Sequence, residues 1–342
     1  MLKLLNWLKR FAIHLFLILI AVYIATQYGH HWGITKRTTR KTEDIKRAVA
    51  VQNERTIAKV CDADKCYLIT DHAYLEDENL IVERYTKVRE YSEVRITAVE
   101  LETPQELTWK NFNTKQWNVN KLFIKDVYAR AMIAVPFMTE ALKFDPEDYQ
   151  NVLMVGLGGG VMNNFLTVVD FIKVNLTTVE LDPLMVKAAK GWFAVEESDT
   201  NKIFVQDGIV FVANAVKRGD RYKSIILDAC HNDDAPTVCP VPEFTKDEVI
   251  KHMSNLLDND GVLTVNILCL RDIIGTENTL LETYRQHFKT CYLLRFKEDQ
   301  RLLVCTNREH WSFEEQRDYF LKNLWTVDDR FDFKLYDIIR ES

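Results

Sequence analysis

The sequence has no excess of basic residues, no C-x-x-C pair, no internal repeat and no metal-ligand spacing among its histidines. Its 342 residues carry a formal net charge of −6, which argues against nonspecific binding to nucleic acid. Because the eight histidines are scattered, no metal site is predicted. Hydrophobic residues make up 47% of the chain, which is enough for one large α/β domain and one small domain.

Cysteine is present but follows no recognisable framework. The seven cysteines are odd in number and widely spaced, which predicts reduced thiols rather than disulfides. Cys61 and Cys66 are close enough in the sequence to pair, but two free thiols in the core are the favoured interpretation.

Glycine is scarce, yet one loop concentrates it. Four of the 11 glycines fall within five residues, at Gly156, Gly158, Gly159 and Gly160. The apolar run Val152–Val155 precedes this loop, a plausible helix follows it, and a second apolar run ends in Glu180-Leu-Asp182. This order predicts a βαβ unit whose glycine loop lets a ligand approach bare backbone, at the strand ends where open α/β sheets bind ligands.

The spacing of the glycines helps to choose among nucleotide cofactors. The dinucleotide fingerprint is G-x-G-x-x-G, whereas this loop reads G-x-G-x-G and has Val161 in the sixth position. A Walker loop would need Gly-Lys-Ser/Thr, which is absent. S-adenosylmethionine has no pyrophosphate and needs backbone contact without a phosphate cradle. For the loop alone, a tight turn without any ligand stays open as the alternative.

Acidic residues at the ends of further predicted strands favour the cofactor. Asp207 and Gly208 directly follow the apolar strand Ile203–Gln206, and Asp228 follows the next buried strand. Glu180 is expected to accept the ribose hydroxyls, and Asp207 the adenine amino group. Acids at strand ends are also common turn formers, but four consecutive strand ends favour a site. The predicted cofactor-binding residues are Gly156, Gly158, Gly159, Gly160, Glu180, Asp182, Asp207, Gly208 and Asp228.

The order of these motifs resembles the spermidine-synthase-like branch of the class I methyltransferases. The nearest resemblance is to the elongation factor 1-alpha lysine and N-terminal methyltransferases, in their C-terminal domain, over roughly residues 128–306. It rests on Val155–Gly160, Val179–Pro183, Gly191–Phe193, Asp207-Gly208, Cys239–Phe244 and Val265–Asp272. The resemblance implies a Rossmann-like α/β sheet, preceded by a small antiparallel β domain.

The chain departs from true spermidine synthases at three places. Those enzymes carry an acid where Gly159 stands, a second acid where His231 stands, and Tyr-His-Glu where this chain reads Tyr128-Ala-Arg130. The resemblance implies that the missing acids bind cationic amines, which carboxylates hold well. A polyamine aminopropyltransferase is therefore kept only as an alternative, beside a catalytically inactive, membrane-tethered protein that binds the cofactor.

Asp228 and His231 are the predicted catalytic residues of an S-adenosylmethionine-dependent methyltransferase. Methyl transfer is an in-line displacement in which the enzyme holds an uncharged nucleophile against the methyl carbon. Asp228 is expected where the methyl group points, and His231 is placed to take a proton from an amine. A surface-loop histidine would explain His231 equally well. The acceptor is expected to be an amine of a protein or a small molecule.

The N-terminal segment predicts attachment to a membrane. Phe11–Tyr28 contains no charged residue and would span about 27 Å as a helix, enough for a bilayer core. A cleaved signal peptide is the alternative, but no good small-x-small site follows. We expect a single-pass anchor with a cytosolic catalytic domain and a possible homodimer. The predicted organisation is an anchor (1–33), a linker (34–56), a small β domain (57–110), the S-adenosylmethionine domain (111–310) and a tail (311–342).

Overall fold

The computed structural model describes residues 42–89, 95–231, 235–309, 311 and 313–340. The predicted anchor Phe11–Tyr28 lies outside these residues. Within the described part of the chain, no helix is both long and apolar enough to cross a bilayer. The longest of these helices, Phe313–Phe331, carries charged side chains along its length, which a bilayer core disfavours. This finding contradicts the prediction of a single-pass membrane protein, so that prediction is withdrawn together with the cytosolic placement.

A four-stranded antiparallel sheet occupies the first part of the described chain, in the order β1-β2-β3-β4. Helix α1 covers residues 42–50. The strands are β1 (Glu54–Cys61), β2 (Cys66–Glu76), β3 (Asn79–Val88) and β4 (Arg95–Glu100). One compact unit contains Ala73–Ile81, Thr103–Gln116 and the described residues before Glu54, and a second unit contains the rest.

The second unit contains a mixed sheet in the order β11-β12-β10-β8-β5-β6-β7, with β9 paired to β10. Its parallel strands lie on both sides of β5, and β12 is antiparallel to its neighbours β10 and β11. The strands are β5 (Tyr149–Val155), β6 (Lys173–Glu180), β7 (Asn201–Val205), β8 (Tyr222–Leu227), β9 (Thr237–Cys239), β10 (Leu257–Cys269), β11 (Thr290–Arg295) and β12 (Gln300–Thr306).

Helices cover both faces of this sheet. They are α2 (Val127–Met138), α3 (Val161–Val168), α4 (Pro183–Trp192), α5 (Gly208–Arg218), α6 (Asp247–Leu256), α7 (Ile273–Arg285), α8 (Phe313–Phe331) and α9 (Tyr336–Arg340). Successive side chains of a strand point to opposite faces. Met154 therefore packs into a cluster with α2, α3 and α8, whereas Leu153 packs into one with α5, α6 and α7. The carboxyl-terminal halves of the two central strands are buried, at Val152–Val155 of β5 and Ser224–Leu227 of β8.

The cysteines are paired, contrary to the prediction of free thiols. Disulfides join Cys61 to Cys66, Cys230 to Cys239 and Cys291 to Cys305, and Cys269 is the one free thiol. Two of these pairs face each other across antiparallel strands, β1 with β2 and β11 with β12. The prediction was wrong because strand register, which brings distant cysteines opposite each other, is not visible in their spacing.

Candidate cofactor and active site

A cavity of about 640 Å³ opens at the carboxyl ends of β5, β6 and β8. This volume lies in the range of ordinary small-molecule sites. The glycine loop after β5 forms one wall, and residues from the β1–β2 turn and from β4 also line it. Every residue that lines this cavity belongs to the second compact unit.

The glycine loop is shaped by contacts that exclude side chains. Gly156 has a φ of +98°, and a Cβ there would lie 2.2 Å from the backbone oxygen of Asp228. Gly160 has a φ of +77° and begins α3 as its N-cap. Around Gly158 no atom lies within 4 Å of where a Cβ would be. Backbone is therefore exposed to the cavity, as a ligand that binds close to the loop requires.

Gly159 faces a side chain that the sequence did not single out. A Cβ at Gly159 would lie 2.4 Å from Cγ2 and 2.6 Å from Oγ1 of Thr97, which is on β4. Thr97 also lines the cavity. Thr97 thus occupies the space that a side chain at position 159 would need.

Glu180 links the ends of β5 and β6. Its Oε2 accepts hydrogen bonds from the backbone of Leu157, at 2.8 Å, and of Gly158, at 3.4 Å. Its Oε1 accepts one from the backbone N–H of Asp182, at 2.9 Å. The carboxylate therefore lies against the glycine loop and lines the cavity, the position predicted for a ribose ligand.

The carboxylate of Asp182 is bound by other groups of the protein, whereas the sequence predicted that it would be available to bind the cofactor. Its Oδ1 accepts a hydrogen bond from the backbone of Leu184, at 2.8 Å, and so caps α4. Its Oδ2 accepts hydrogen bonds from Lys65, at 2.8 Å, and from the Tyr67 hydroxyl, at 2.6 Å. Although burial opposes it, these hydrogen bonds hold the pKa of Asp182 below its usual range. Both oxygens are thus engaged by the protein.

Asp207 and Gly208 lie where the sequence places them, between β7 and α5. The Asp207 side chain caps α5 by accepting a hydrogen bond from the backbone of Ile209, at 2.7 Å. Gly208 packs closely, because a Cβ there would lie 2.8 Å from Val155 and 3.0 Å from Phe244. Both residues line the cavity.

Asp228 directly follows β8, and its side chain is half-buried. Its Oδ1 accepts a hydrogen bond from Asn266, at 2.8 Å, and its Oδ2 lies 3.5 Å from the Tyr128 hydroxyl. Burial raises the pKa of Asp228 to about 6, although the hydrogen bonds from Asn266 and Tyr128 oppose this rise. The charge of Asp228, together with burial, raises the pKa of Tyr128 well above its usual value. Tyr128 therefore stays protonated as a donor to Asp228.

His231 also lines the cavity, three residues beyond Asp228. Its backbone N–H donates to the carbonyl of Val238, at 2.8 Å, which closes a short loop. The disulfide between Cys230 and Cys239 closes the same loop, and the Cys230 sulfur lies 3.4 Å from Oδ1 of Asp228. These two sulfurs and Asp228 lie within 4.8 Å of one another, but the disulfide removes both thiolates as metal ligands.

Eight of the nine predicted cofactor-binding residues line this cavity, and Gly160 does not. Both predicted catalytic residues, Asp228 and His231, also line it. The residues that sequence reasoning missed are Lys65, Tyr67, Thr97 and Asn266. Asn266 had a local signal in the sequence, because it is a polar residue within the apolar part of strand β10. In the structure it is 2% exposed. The other three lie far from the glycine loop in the sequence, Lys65 in the β1–β2 turn, Tyr67 on β2 and Thr97 on β4, and had no such signal.

The cavity fits a nucleoside linked to an amino acid. Exposed loop backbone, a carboxylate beside that loop and a capping acid at the next strand end lie along one wall, and Asp228 lies beyond them. Among the described residues, Lys65 is the only lysine or arginine that lines the cavity, so these residues form no cluster of cations of the kind that binds phosphates. The residues thus fit S-adenosylmethionine better than a cofactor with a pyrophosphate.

Comparison with known sequences agrees with this geometry. Residues 125–293 match the spermine/spermidine synthase domain. Over 195 residues, or 55% of the chain, the sequence is 29% identical to human eEF1A lysine and N-terminal methyltransferase, of which the match covers 27%. It is 26% identical to the polyamine aminopropyltransferase of Vibrio vulnificus over 158 residues, which are 46% of this chain and 50% of that enzyme. The chain spans about a quarter of the length of the curated methyltransferases that it matches.

Solved structures show the same architecture. Human methyltransferase-like protein 13, in complex with SAH, superposes with a TM-score of 0.52 at 26% identity, covering 59% of this chain and 92% of that one. A probable spermidine synthase from Corynebacterium glutamicum shares the fold with a TM-score of 0.57 at 16% identity, covering 78% and 86%. None of these relatives supports the predicted homodimer or a membrane partner. The chain contains a spermidine-synthase-like domain with an α/β class I methyltransferase-like fold, and it is homologous to the eEF1A lysine and N-terminal methyltransferases.

Proposed function

We propose that this protein is an S-adenosylmethionine-dependent methyltransferase of the spermidine-synthase-like type, which methylates an amine of a protein. One observation is the main support for this proposal. A half-buried carboxyl group, that of Asp228, lies in the same cavity as the glycine loop and Glu180. The names of the homologous methyltransferases, and the SAH in the human neighbour, support the same cofactor.

The cofactor would lie along the wall formed by the glycine loop, Glu180 and Asp207. Glu180 would receive the ribose hydroxyls, and Asp207 and Gly208 would lie against the adenine. Bound there, S-adenosylmethionine supplies an electrophilic methyl group on a sulfonium. The protein would contribute by orienting this group against the acceptor.

Asp228 is the better of the two predicted bases. Asn266 holds its Oδ1, and Oδ2 is left facing Tyr128. With a pKa raised by burial to about 6, the carboxylate is ionised at neutral pH yet more basic than an ordinary aspartate. It is therefore suited to accept a proton from the acceptor amine.

The charge of the cavity favours a cationic acceptor. The acids that line it among the described residues are Asp126, Glu180, Asp182, Asp207, Asp228 and Glu243, against one lysine, Lys65. Burial raises the pKa of Asp126, which indicates a carboxyl group poorly solvated by water. An ammonium group entering the cavity would relieve the repulsion among these acids. A lysine side chain or an N-terminal amine of a protein carries such a charge.

Aminopropyl transfer is the second candidate because of the domain match and the Vibrio vulnificus relative. The contact between Gly159 and Thr97 argues against it. An acid at position 159, as the resemblance to spermidine synthases implies for those enzymes, would collide with Thr97 here. The chain therefore lacks both that acid and the space for it.

The Gly159 contact is directly testable. Gly159→Ala is expected to lower the free energy of unfolding by about 1–3 kcal/mol, because the added methyl group overpacks against Thr97. Adding Thr97→Ala should recover part of this loss, whereas Thr97→Ala alone should cost less than Gly159→Ala. Chemical denaturation of the three variants measures the effect. A Gly159→Ala protein as stable as the unmutated protein would show that position 159 has room for a side chain.

Labelling tests the proposed reaction and finds the acceptor. The full chain is incubated with methyl-labelled S-adenosylmethionine and a protein extract, and labelled residues are identified by mass spectrometry. We expect label on an amine of one or a few proteins, and far less label on the same amines when Asp228→Asn replaces the unmutated protein. Label on no protein at all would contradict a protein acceptor.

A further inference from the structure

The turn between β1 and β2 reaches into the cavity wall. Lys65 and Tyr67 both line the cavity, and both donate a hydrogen bond to Oδ2 of Asp182. The Lys65 ammonium also lies 4.8 Å from the centre of the Tyr67 ring. Two side chains more than a hundred residues away in sequence thus converge on one oxygen at the end of β6.

The turn that carries Lys65 is itself well fixed. Oδ1 of Asp62 accepts hydrogen bonds from the backbone of Asp64, at 2.9 Å, and of Lys65, at 2.8 Å. The disulfide between Cys61 and Cys66 closes the turn on both sides of these residues. Tyr67 is 0% exposed, so its ring is held by packing. Lys65 and Tyr67 are therefore presented to Asp182 in a defined geometry.

Asp182 in turn holds Glu180. Its backbone N–H donates to Oε1 of Glu180, and its side chain caps the helix that follows. A shift of Asp182 would move this N–H and release one oxygen of Glu180. The contacts form a continuous path from Lys65 and Tyr67, through Asp182, to the carboxylate proposed to receive the ribose.

We propose that Lys65 and Tyr67 are positioning residues of the cofactor site, which fix Asp182 and through it the Glu180 carboxylate. The small antiparallel sheet then has a function in cofactor binding. This inference rests on the proposed function, because it takes the ribose to be the group that Glu180 binds.

The charge of Lys65 reduces the repulsion between two neighbouring acids. Glu180 and Asp182 are two acids at the end of one strand, and like charges so close repel each other. The Lys65 ammonium compensates Asp182 at 2.8 Å. Burial and the hydrogen bond to Asp182 raise the pKa of Tyr67, so its hydroxyl remains a donor. Without Lys65, the two acids at the end of β6, Glu180 and Asp182, would lose the cation that is hydrogen-bonded to Asp182.

Calorimetric titration of the full chain with S-adenosylhomocysteine tests this inference. Lys65→Met should raise the dissociation constant about five- to twentyfold, and Tyr67→Phe about three- to tenfold, for the loss of one hydrogen bond to a charged group. Lys65→Arg should restore most of the affinity. Lys59→Met is the matched control, because Lys59 is an exposed lysine on β1 that does not line the cavity.

A second ligand separates positioning of the ribose site from a general loss of structure. The analogue of S-adenosylhomocysteine that lacks both ribose hydroxyls cannot use Glu180 in this way. Lys65→Met should therefore change its affinity less than about twofold, within the scatter of such comparisons. Equal losses for both ligands, or an unchanged affinity for S-adenosylhomocysteine, would overturn the inference. If the unmutated protein does not bind S-adenosylhomocysteine at all, the proposed function itself fails.

Discussion

Asp228→Asn is expected to slow methyl transfer by about 10²- to 10⁴-fold, the range found when a general base is lost. Asparagine fills the same space and can still contact Asn266 and Tyr128, but it cannot accept the proton of an amine. The affinity for S-adenosylhomocysteine should change less than about threefold, because the proposed base contacts the acceptor rather than the nucleoside. Steady-state rates of label transfer and calorimetry measure the two quantities.

Asp199→Asn is the matched control, since Asp199 is an exposed aspartate outside the cavity, and it should leave the rate unchanged. A variant Asp228→Asn with nearly full activity would show that Asp228 is not the base. His231→Gln should then be the variant that loses activity.

The same carboxyl group predicts the pH dependence of the reaction. Because burial raises the pKa of Asp228 to about 6, the carboxylate takes up a proton as the pH falls through that value, and the protonated form is no longer a base. The rate should therefore be level near neutral pH and fall by about tenfold per unit below pH 6. In Asp228→Asn the residual rate should lack this acidic limb, and its persistence there would assign the limb to another group.

Glu180→Ala is expected to weaken the binding of S-adenosylhomocysteine about ten- to a hundredfold. The variant removes the carboxylate that the ribose hydroxyls would contact, and a hydrogen bond to a charged group contributes about 1.5–3 kcal/mol. It also frees the backbone N–H groups of Leu157 and Asp182, which loosens the glycine loop. Isothermal titration calorimetry measures the change in affinity.

Two matched variants sharpen this measurement. Glu248→Ala removes the same side chain from an exposed position on α6 and should bind normally. Glu180→Gln keeps the shape but not the charge and should lie between the unmutated protein and Glu180→Ala. If Glu180→Ala binds as tightly as the unmutated protein, the ribose is not held at this position.

The strand ends that form the cavity were predictable from local sequence. The apolar run Val152–Val155 and the one that ends at Leu227 match β5 and β8, since runs buried on both faces are typical of central parallel strands. Gly156 follows one and Asp228 the other, so parallel pairing brings both to the same edge. This is why apolar runs that end in glycine or an acid predicted most of the residues in the cavity wall.

Asp182 carried a second local signal, for a helix N-cap, which the prediction did not use. An aspartate followed directly by Pro183 is typical of a helix N-cap, because proline favours the first helical position. The structure shows this cap, in addition to the bonds from Lys65 and Tyr67. The prediction treated Asp182 only as a cofactor ligand.

The contributions of the small sheet were not predictable in this way. Lys65, Tyr67 and Thr97 reach the cavity through the pairing and packing of strands that lie far from the glycine loop in sequence. No periodicity or spacing marks them. The pairing of Cys291 with Cys305 was missed for the same reason, because these cysteines meet only through the register of β11 and β12.

The nucleoside that the enzyme releases tests the central claim most directly. Methyl transfer converts S-adenosylmethionine to S-adenosylhomocysteine, whereas aminopropyl transfer converts the decarboxylated cofactor to 5′-methylthioadenosine. The purified chain is incubated with S-adenosylmethionine, its decarboxylated form, putrescine and the unmethylated protein acceptor that the labelling experiment identifies. The released nucleosides are then separated by chromatography. Our account predicts S-adenosylhomocysteine, formed only when the protein acceptor is present and formed at least about a hundredfold more slowly by Asp228→Asn. Release of 5′-methylthioadenosine together with spermidine would contradict it.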